Sequence, residues 1–339
     1  MEQRIATARL RDGAAVAYAT AGEGPFLVYV PGWLTHLDRS WAMPPERGFY
    51  EALARGRTLV RYDRPGCGLS DRDGRPPSME LELETIGAVT KAAGAERFDL
   101  LGISFGAPVA ARWAAEHPDR VSRLVLYGGW ARGPDISPPE VRELVLGLVD
   151  AHWGLGSGVL GEIFAPDAGA STRAAFGSYM REAASPGTAR ALLALSYQVD
   201  VTADLARITA PALVIHREQD RAAPLRQGQA LADGIPGARF ELLPGRSHLP
   251  YIGDADALAT SIRRFLGLPS SRRRAIPELT PRQREVARLI ADGLTNREIG
   301  ARLHITERSA ESHVERIMLR MGFRSRAQIA AWFAASGPP

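Results

Sequence analysis

The chain has 339 residues, 45% of them hydrophobic and 24% charged, which suits packed domains and suggests two of them, or one large and one small. No apolar run reaches the ~18 residues of a transmembrane span, and the start "MEQRIATARLRDG" lacks a signal-peptide pattern, so a cytoplasmic protein is expected. A lone Cys67 excludes an internal disulfide, and scattered His residues without partner Cys give no reason to expect a metal or other cofactor.

The net charge of +4 is uneven. Residues 271–339 hold 13 Arg against 7 acidic residues, net +6, which leaves −2 for the rest. A basic tail on a mildly acidic body points to a polyanionic partner for the tail alone.

In chain order, short apolar runs predict strands at Phe26–Val30, Thr58–Tyr62, Phe98–Gly102, Arg123–Tyr127, Ala212–His216 and Arg239–Leu243. Helical patterns at Met79–Ala93, Phe105–Glu116 and Ala255–Leu266 fall between or after them. This alternation predicts an α/β class, a doubly wound, mostly parallel sheet covered on both faces. From Ala131 to Ile208 the strands stop and Ala/Leu-rich helical segments take over, the pattern of a helical cap. The large domain is expected over 1–268. A Pro-, Ser- and Arg-rich linker follows over 269–278, then a small all-α domain over 279–339.

"LLGISFGAPVA" places Gly102-x-Ser104-x-Gly106 between a strand and a helix. A sharp turn there exposes the serine at the strand's C-terminal end, and the helix N-terminus behind it offers N–H groups to a developing oxyanion. A nucleophilic serine needs a base, and the base an orienting acid. Asp220 follows one predicted strand and His248 the next, each at a C-terminal strand end where doubly wound sheets build their sites. His216 and His117 read as structural. Cap aromatics (Trp153, Phe164, Phe176, Tyr179, Tyr197), with Trp130, are either a substrate-pocket lining or cap core.

Over roughly Arg11–Leu268 the chain resembles the α/β-hydrolase superfamily. "RYDRPGCGLSD" is similar to its Asp-x-x-Gly-x-Gly-x-Ser loop, and "YVPGWLTH" sits where the family carries its oxyanion loop, with Pro31 in place of the usual histidine. The resemblance implies a Ser104–Asp220–His248 triad and oxyanion-hole N–H groups from Trp33 and Phe105. "PGWLTHLDRSW" resembles hydrolase-like domains fused to regulatory or cyclase modules, which implies that His36 lines the pocket.

In the small domain, Thr280 with Gln283 and Thr295 with Glu298 form capping-box patterns, Thr306 can cap the next helix, and Gly293 ends the first. Ala310, Val314, Ile317 and Met321 share one face of that later helix. Thr306, Arg308, Ser309, Glu311, Ser312, Glu315 and Arg316 are left for the other, as on the reader of a helix-turn-helix. Leu279-Thr280, Gly293-x-x-Asn296-x-Glu298-Ile299-Gly300, Leu303-x-Ile305-Thr306 and His313-Val314-x-x-Ile317 resemble the LuxR-type (GerE-like) DNA-binding domain. Glu311 and Glu315 stand where lysine is common. The expected function is a transcription regulator, dimeric on DNA. Its hydrolase-fold domain senses, and hydrolyses, a small ester-, amide- or lactone-like ligand. A serine hydrolase with an accessory tail and a pseudoenzyme sensor remain alternatives.

Overall fold

A computed structural model describes residues 1–268, 279–321 and 325–335. The expected linker, 269–278, lies outside the described residues, as does the Met321 side chain. The chain divides into two compact units, residues 1–270 and 271–339.

The larger unit is an eight-stranded sheet: β1 (Arg4–Arg9), β2 (Ala15–Ala21), β3 (Phe26–Val30), β4 (Thr58–Tyr62), β5 (Phe98–Ile103), β6 (Val121–Tyr127), β7 (Ala212–Arg217) and β8 (Arg239–Leu243), in the order β1-β2-β4-β3-β5-β6-β7-β8. The β1–β2 and β2–β4 pairs are antiparallel. All other pairs are parallel. The order reverses around β3, which lies between β4 and β5. In open α/β sheets that reversal opens a crevice beyond the strands' carboxyl ends.

The period-two alternation of a strand sorts side chains onto two cores. Val28, Val30, Val60, Leu100 and Leu126 pack with helices Met79–Ala92 and Gly106–Glu116. Leu27, Tyr29, Leu59, Leu101 and Val125 pack with helices Pro44–Ala54 and Ala255–Phe265. Burial on both faces explains the continuous apolar runs of the central strands.

No continuous apolar run marks a strand before Phe26, yet β1 and β2 form a hairpin there. The signal was local and weak: Asp12-Gly13 between two alternating runs, with Gly13 at φ 89°. Helices Leu37–Ala42, Pro44–Ala54 and Leu225–Gly234 also went unanticipated. Between β6 and β7 lie helices Pro139–Ala151, Trp153–Phe164, Ala170–Ala183 and Pro186–Gln198, followed by the short Thr202–Leu205. The first four of these helices line the cavities at Ser104. Among the described residues no helix is long and apolar enough to cross a membrane.

The smaller unit holds helices Pro281–Ala291, Asn296–Leu303, Glu307–Met321 and Arg326–Ala335. Both capping boxes form, at Thr280/Gln283 and Thr295/Glu298, and the Ser309 N–H donates to Thr306 Oγ1 at 3.2 Å. His304 takes a left-handed conformation, φ 54°, to turn the chain between the second and third helices. Val286, Ile290, Ile299, Leu303, Ala310, Val314, Ile317 and Ile329 make the core.

Candidate active site and DNA-reading face

The turn after β5 is built by two close approaches. A Cβ on Gly102 would lie 2.5 Å from the Gly106 carbonyl oxygen, and one on Gly106 would lie 2.2 Å from Val30 O and 2.4 Å from Pro31 O. Only glycine lets the helix start so near β3. Ser104 between them is held at φ 55°, a left-handed conformation costing roughly 1–2 kcal/mol in a non-glycine residue. Its N–H donates to Tyr127 O at 2.8 Å, which ties the turn to β6.

Strand ends bring the remaining groups to this serine. His248, in the loop after β8, has Nε2 2.7 Å from Ser104 Oγ and Nδ1 2.7 Å from Asp220 Oδ2. Asp220, after β7, accepts on Oδ1 from the N–H groups of Ala222 (2.9 Å) and Ala223 (3.1 Å). Burial by itself would raise the Asp220 pKa. Its charge interaction and hydrogen bond with His248 outweigh that and hold it below the usual carboxylate value. The His248 N–H donates to Phe164 O at 2.8 Å, so the cap helix fixes the histidine loop. Beneath the acid, fully buried His216 donates from Nε2 to Ala223 O at 2.8 Å, and burial lowers its pKa. It braces the acid loop, while His117 stacks on Trp113 far from it.

The Pro31–Leu34 loop crosses in front of the serine, and a Cβ on Gly32 would lie 3.8 Å from that of Ser104. Among the described residues, neither the Trp33 nor the Phe105 backbone N–H donates to a protein acceptor. One residue that sequence reasoning missed holds this loop. Fully buried Arg64 donates from Nε to Gly32 O at 2.8 Å and from Nη2 to Pro31 O at 2.6 Å, pairs with Glu82, and lies over the Phe105 ring at 4.6 Å.

Two cavities reach Ser104 and His248 and share Trp33 and Phe164 as walls. The first, about 70 Å³, runs to Tyr29, Glu46, Tyr50, Tyr179 and Tyr251. The second, about 120 Å³, is lined by Trp130, Val145, Leu160, Leu193, Tyr197 and Arg221. Each is smaller than the ~150 Å³ that holds a benzene, so each suits one short arm of a small molecule. Of the aromatics singled out in the sequence, only Trp153 lines neither cavity; it packs edge-on against Trp33 at 6.2 Å. His36 is a correction: it lines neither cavity. The chain turns there into helix Leu37–Ala42, with His36 as its N-cap residue. Burial lowers the His36 pKa, and the nearby Asp63 carboxyl opposes this. Glu46, Tyr29, Tyr50 and Tyr251 were not anticipated as wall residues.

In the smaller unit, Thr306, Arg308, Ser309, Glu311, Glu315 and Arg316 are exposed and Ser312 half-buried, opposite the core residues of the same helix. Arg316 Nη2 donates to Ser312 Oγ at 2.8 Å, one turn away.

A serine in a strained turn, bonded to a histidine that is bonded to a buried carboxylate, can pass a proton from hydroxyl to imidazole as the oxygen attacks a carbonyl. The chain belongs to the alpha/beta hydrolase fold family, whose pattern matches residues 25–255. Residues 277–333 match the bacterial regulatory proteins of the luxR family, so a LuxR-type helix-turn-helix DNA-binding domain follows the hydrolase fold. Over 262 residues the chain is 32% identical to the pyrrolizixenacetamide deacetylase of Xenorhabdus hominickii, covering 75% of this chain and 95% of that protein. It is 28% identical over 261 residues to a pimeloyl-acyl-carrier-protein methyl ester esterase of Nitrosomonas europaea, covering 70% and 94%. The solved enol-lactonase of Burkholderia xenovorans superposes with a TM-score of 0.65 at 26% identity, covering 77% of this chain and all of that one (100%).

Proposed function

We propose that this protein is a DNA-binding transcriptional regulator whose hydrolase-fold unit binds, and hydrolyses, a small ester-, amide- or lactone-like ligand. The observation that carries the reading is the Ser104–His248–Asp220 relay, 2.7 Å at each link, opening onto two short cavities in a chain that also holds a luxR-family segment. Similarity to a deacetylase, a methyl ester esterase and an enol-lactonase supports carbonyl hydrolysis. In this reading Ser104 Oγ attacks the carbonyl carbon as His248 Nε2 takes its proton, and Asp220 holds the imidazole tautomer. The Trp33 and Phe105 N–H groups receive the oxyanion, and His248 returns the proton to the leaving group. Water then attacks the acyl-enzyme by the same route in reverse. One substituent of the ligand lies in each cavity, with Trp130 bounding the second.

The exposed face of helix Glu307–Met321 reads DNA in this proposal. Arg308 and Arg316 contact phosphate, and Ser309, Glu311, Ser312 and Glu315 face base edges, with Thr306 at the helix start. A homodimer presents two such helices about one DNA turn apart. Ligand occupancy shifts operator affinity about five- to a hundred-fold when it favours one dimer arrangement.

The test is double. Wild-type protein turns over p-nitrophenyl butanoate, and Ser104→Ala lowers kcat about 10³-fold or more. The same full-length proteins shift DNA from their own promoter. Equal turnover by wild type and Ser104→Ala leaves a pseudoenzyme sensor, and absence of specific DNA binding leaves a hydrolase with an accessory tail.

A further inference from the structure

The first cavity contains a carboxyl that the hydrolytic step does not use. Glu46 sits in the first turn of helix Pro44–Ala54 and is 4% exposed, yet it lines the same cavity as Ser104 and His248. Its Oε1 accepts from the Tyr50 hydroxyl at 2.6 Å, the Tyr251 hydroxyl also stands at the carboxyl, and the buried Oε2 makes no direct hydrogen bond among the described residues. Around it stand Tyr29 from β3, Tyr179 from the cap, and Tyr251 from the loop after β8. Arg61 of β4 is close enough to act on its charge but makes no ion pair with it. It lies 3.9 Å from the Tyr50 ring centroid and is spent on Ser40 Oγ (3.0 Å) and Gln3 Oε1 (2.5 Å).

A buried carboxylate without a contacting cation is costly, and a cation that meets it there regains what desolvation took away. A buried acceptor oxygen without a hydrogen bond calls for a donor, not another acceptor. We propose that Glu46 and its tyrosines form the specificity subsite of the hydrolase unit, selecting a ligand whose arm in the first cavity ends in an ammonium group. The inference rests on reading this cavity as the ligand site.

Burial pushes the Glu46 carboxyl up to about 7, with the Tyr50 hydroxyl, the Arg61 guanidinium and the Tyr251 hydroxyl offsetting part of it. An ammonium ligand therefore expels a proton from Glu46 as it binds near neutral pH. The other groups facing Glu46 are Tyr29, Tyr50, Tyr179 and Tyr251, whose pKa values burial raises, and Arg61; His248 lies along the same cavity wall.

The experiment uses full-length Ser104→Ala, so it needs no turnover and its outcome is independent of whether the serine is catalytic. Calorimetric titrations compare n-butylammonium with n-butanol, equal in length, at a pH about one unit above 7. The ammonium should bind about tenfold or more tightly, the worth of one charge-assisted hydrogen bond. Adding Glu46→Gln should remove that preference, bringing butylammonium affinity down to that of butanol. In Ser104→Ala itself, titrations near pH 7 in buffers of different ionisation enthalpy should register fractional proton release with butylammonium and none with butanol. This second measurement does not depend on Glu46→Gln folding. Equal affinity for the two probes, or an ammonium preference that survives Glu46→Gln, or binding without proton release, overturns the proposal and leaves Glu46 as a structural partner of Tyr50.

Discussion

Gly106→Ala tests the geometry of the serine turn. The added Cβ would lie 2.2 Å from Val30 O and 2.4 Å from Pro31 O, both backbone atoms. Real Cβ contacts stay beyond about 3.0 Å, so β3's end or the helix start must move by about 0.8 Å. Pro31 lies two residues before Trp33, the proposed oxyanion donor, so the displacement falls where a carbonyl must be received. A misplacement near 1 Å costs on the order of 10²-fold in rate, and overpacking of this kind destabilises by about 1–3 kcal/mol. The assay pairs kcat on p-nitrophenyl butanoate with thermal melting. Gly147→Ala is the control. It sits in helix Pro139–Ala151 with nothing within 4 Å of the new methyl, and should leave kcat unchanged while raising stability by up to ~1 kcal/mol. Wild-type kcat and melting temperature in Gly106→Ala would refute the argument that the two glycines set the site's geometry.

Arg64→Lys keeps the charge facing Glu82 but loses the planar fork on the Pro31 and Gly32 carbonyls. It should lower kcat about tenfold with little change in KM for p-nitrophenyl butanoate, and an unchanged kcat would show that the loop holds itself. Glu46 has a folded pKa of about 7, above its unfolded value of about 4.3. Its contribution to stability is therefore full below the unfolded value and is lost as pH rises through about 7. Melting of Glu46→Gln relative to wild type should improve from about pH 4.5 to pH 8 by an amount on the order of 3 kcal/mol; a difference flat in pH would contradict the shift. For DNA, Arg316→Ala should weaken binding to all sequences alike and flatten the salt slope by about one. Glu311→Ala should instead alter which operator sequences are preferred, read by binding selection on full-length protein.

What was legible in the sequence was what neighbouring residues decide among themselves. The central strands announced themselves because burial on both faces demands continuous apolar runs; six of the eight strands were placed in all, the sixth being β8, a mostly exposed edge strand. The turn around Ser104 was legible because its two glycines flank it in sequence. The capping boxes at Thr280 and Thr295 were legible because both partners lie within one helical turn. The hairpin β1–β2 was missed because β1 is mostly exposed and its alternation is built from alanines with little contrast.

The rest belongs to tertiary structure. Glu46, Arg64 and Glu82 read as ordinary surface charges in a helix or loop, yet each is at most 4% exposed. No local pattern marks them, because their burial is imposed by segments far away in sequence: Tyr179 from the cap, Tyr251 from after β8, and the Pro31–Gly32 carbonyls from after β3. His36 shows the converse. Gly32, Trp33 and Leu34 just before it line the cavity, but the chain turns at His36 into a helix and carries it out of the wall. Bringing residues 104, 220 and 248 within 2.7 Å steps is likewise the sheet's doing. Parallel strands end side by side at one edge, so loops 28 to 144 residues apart meet at a single point.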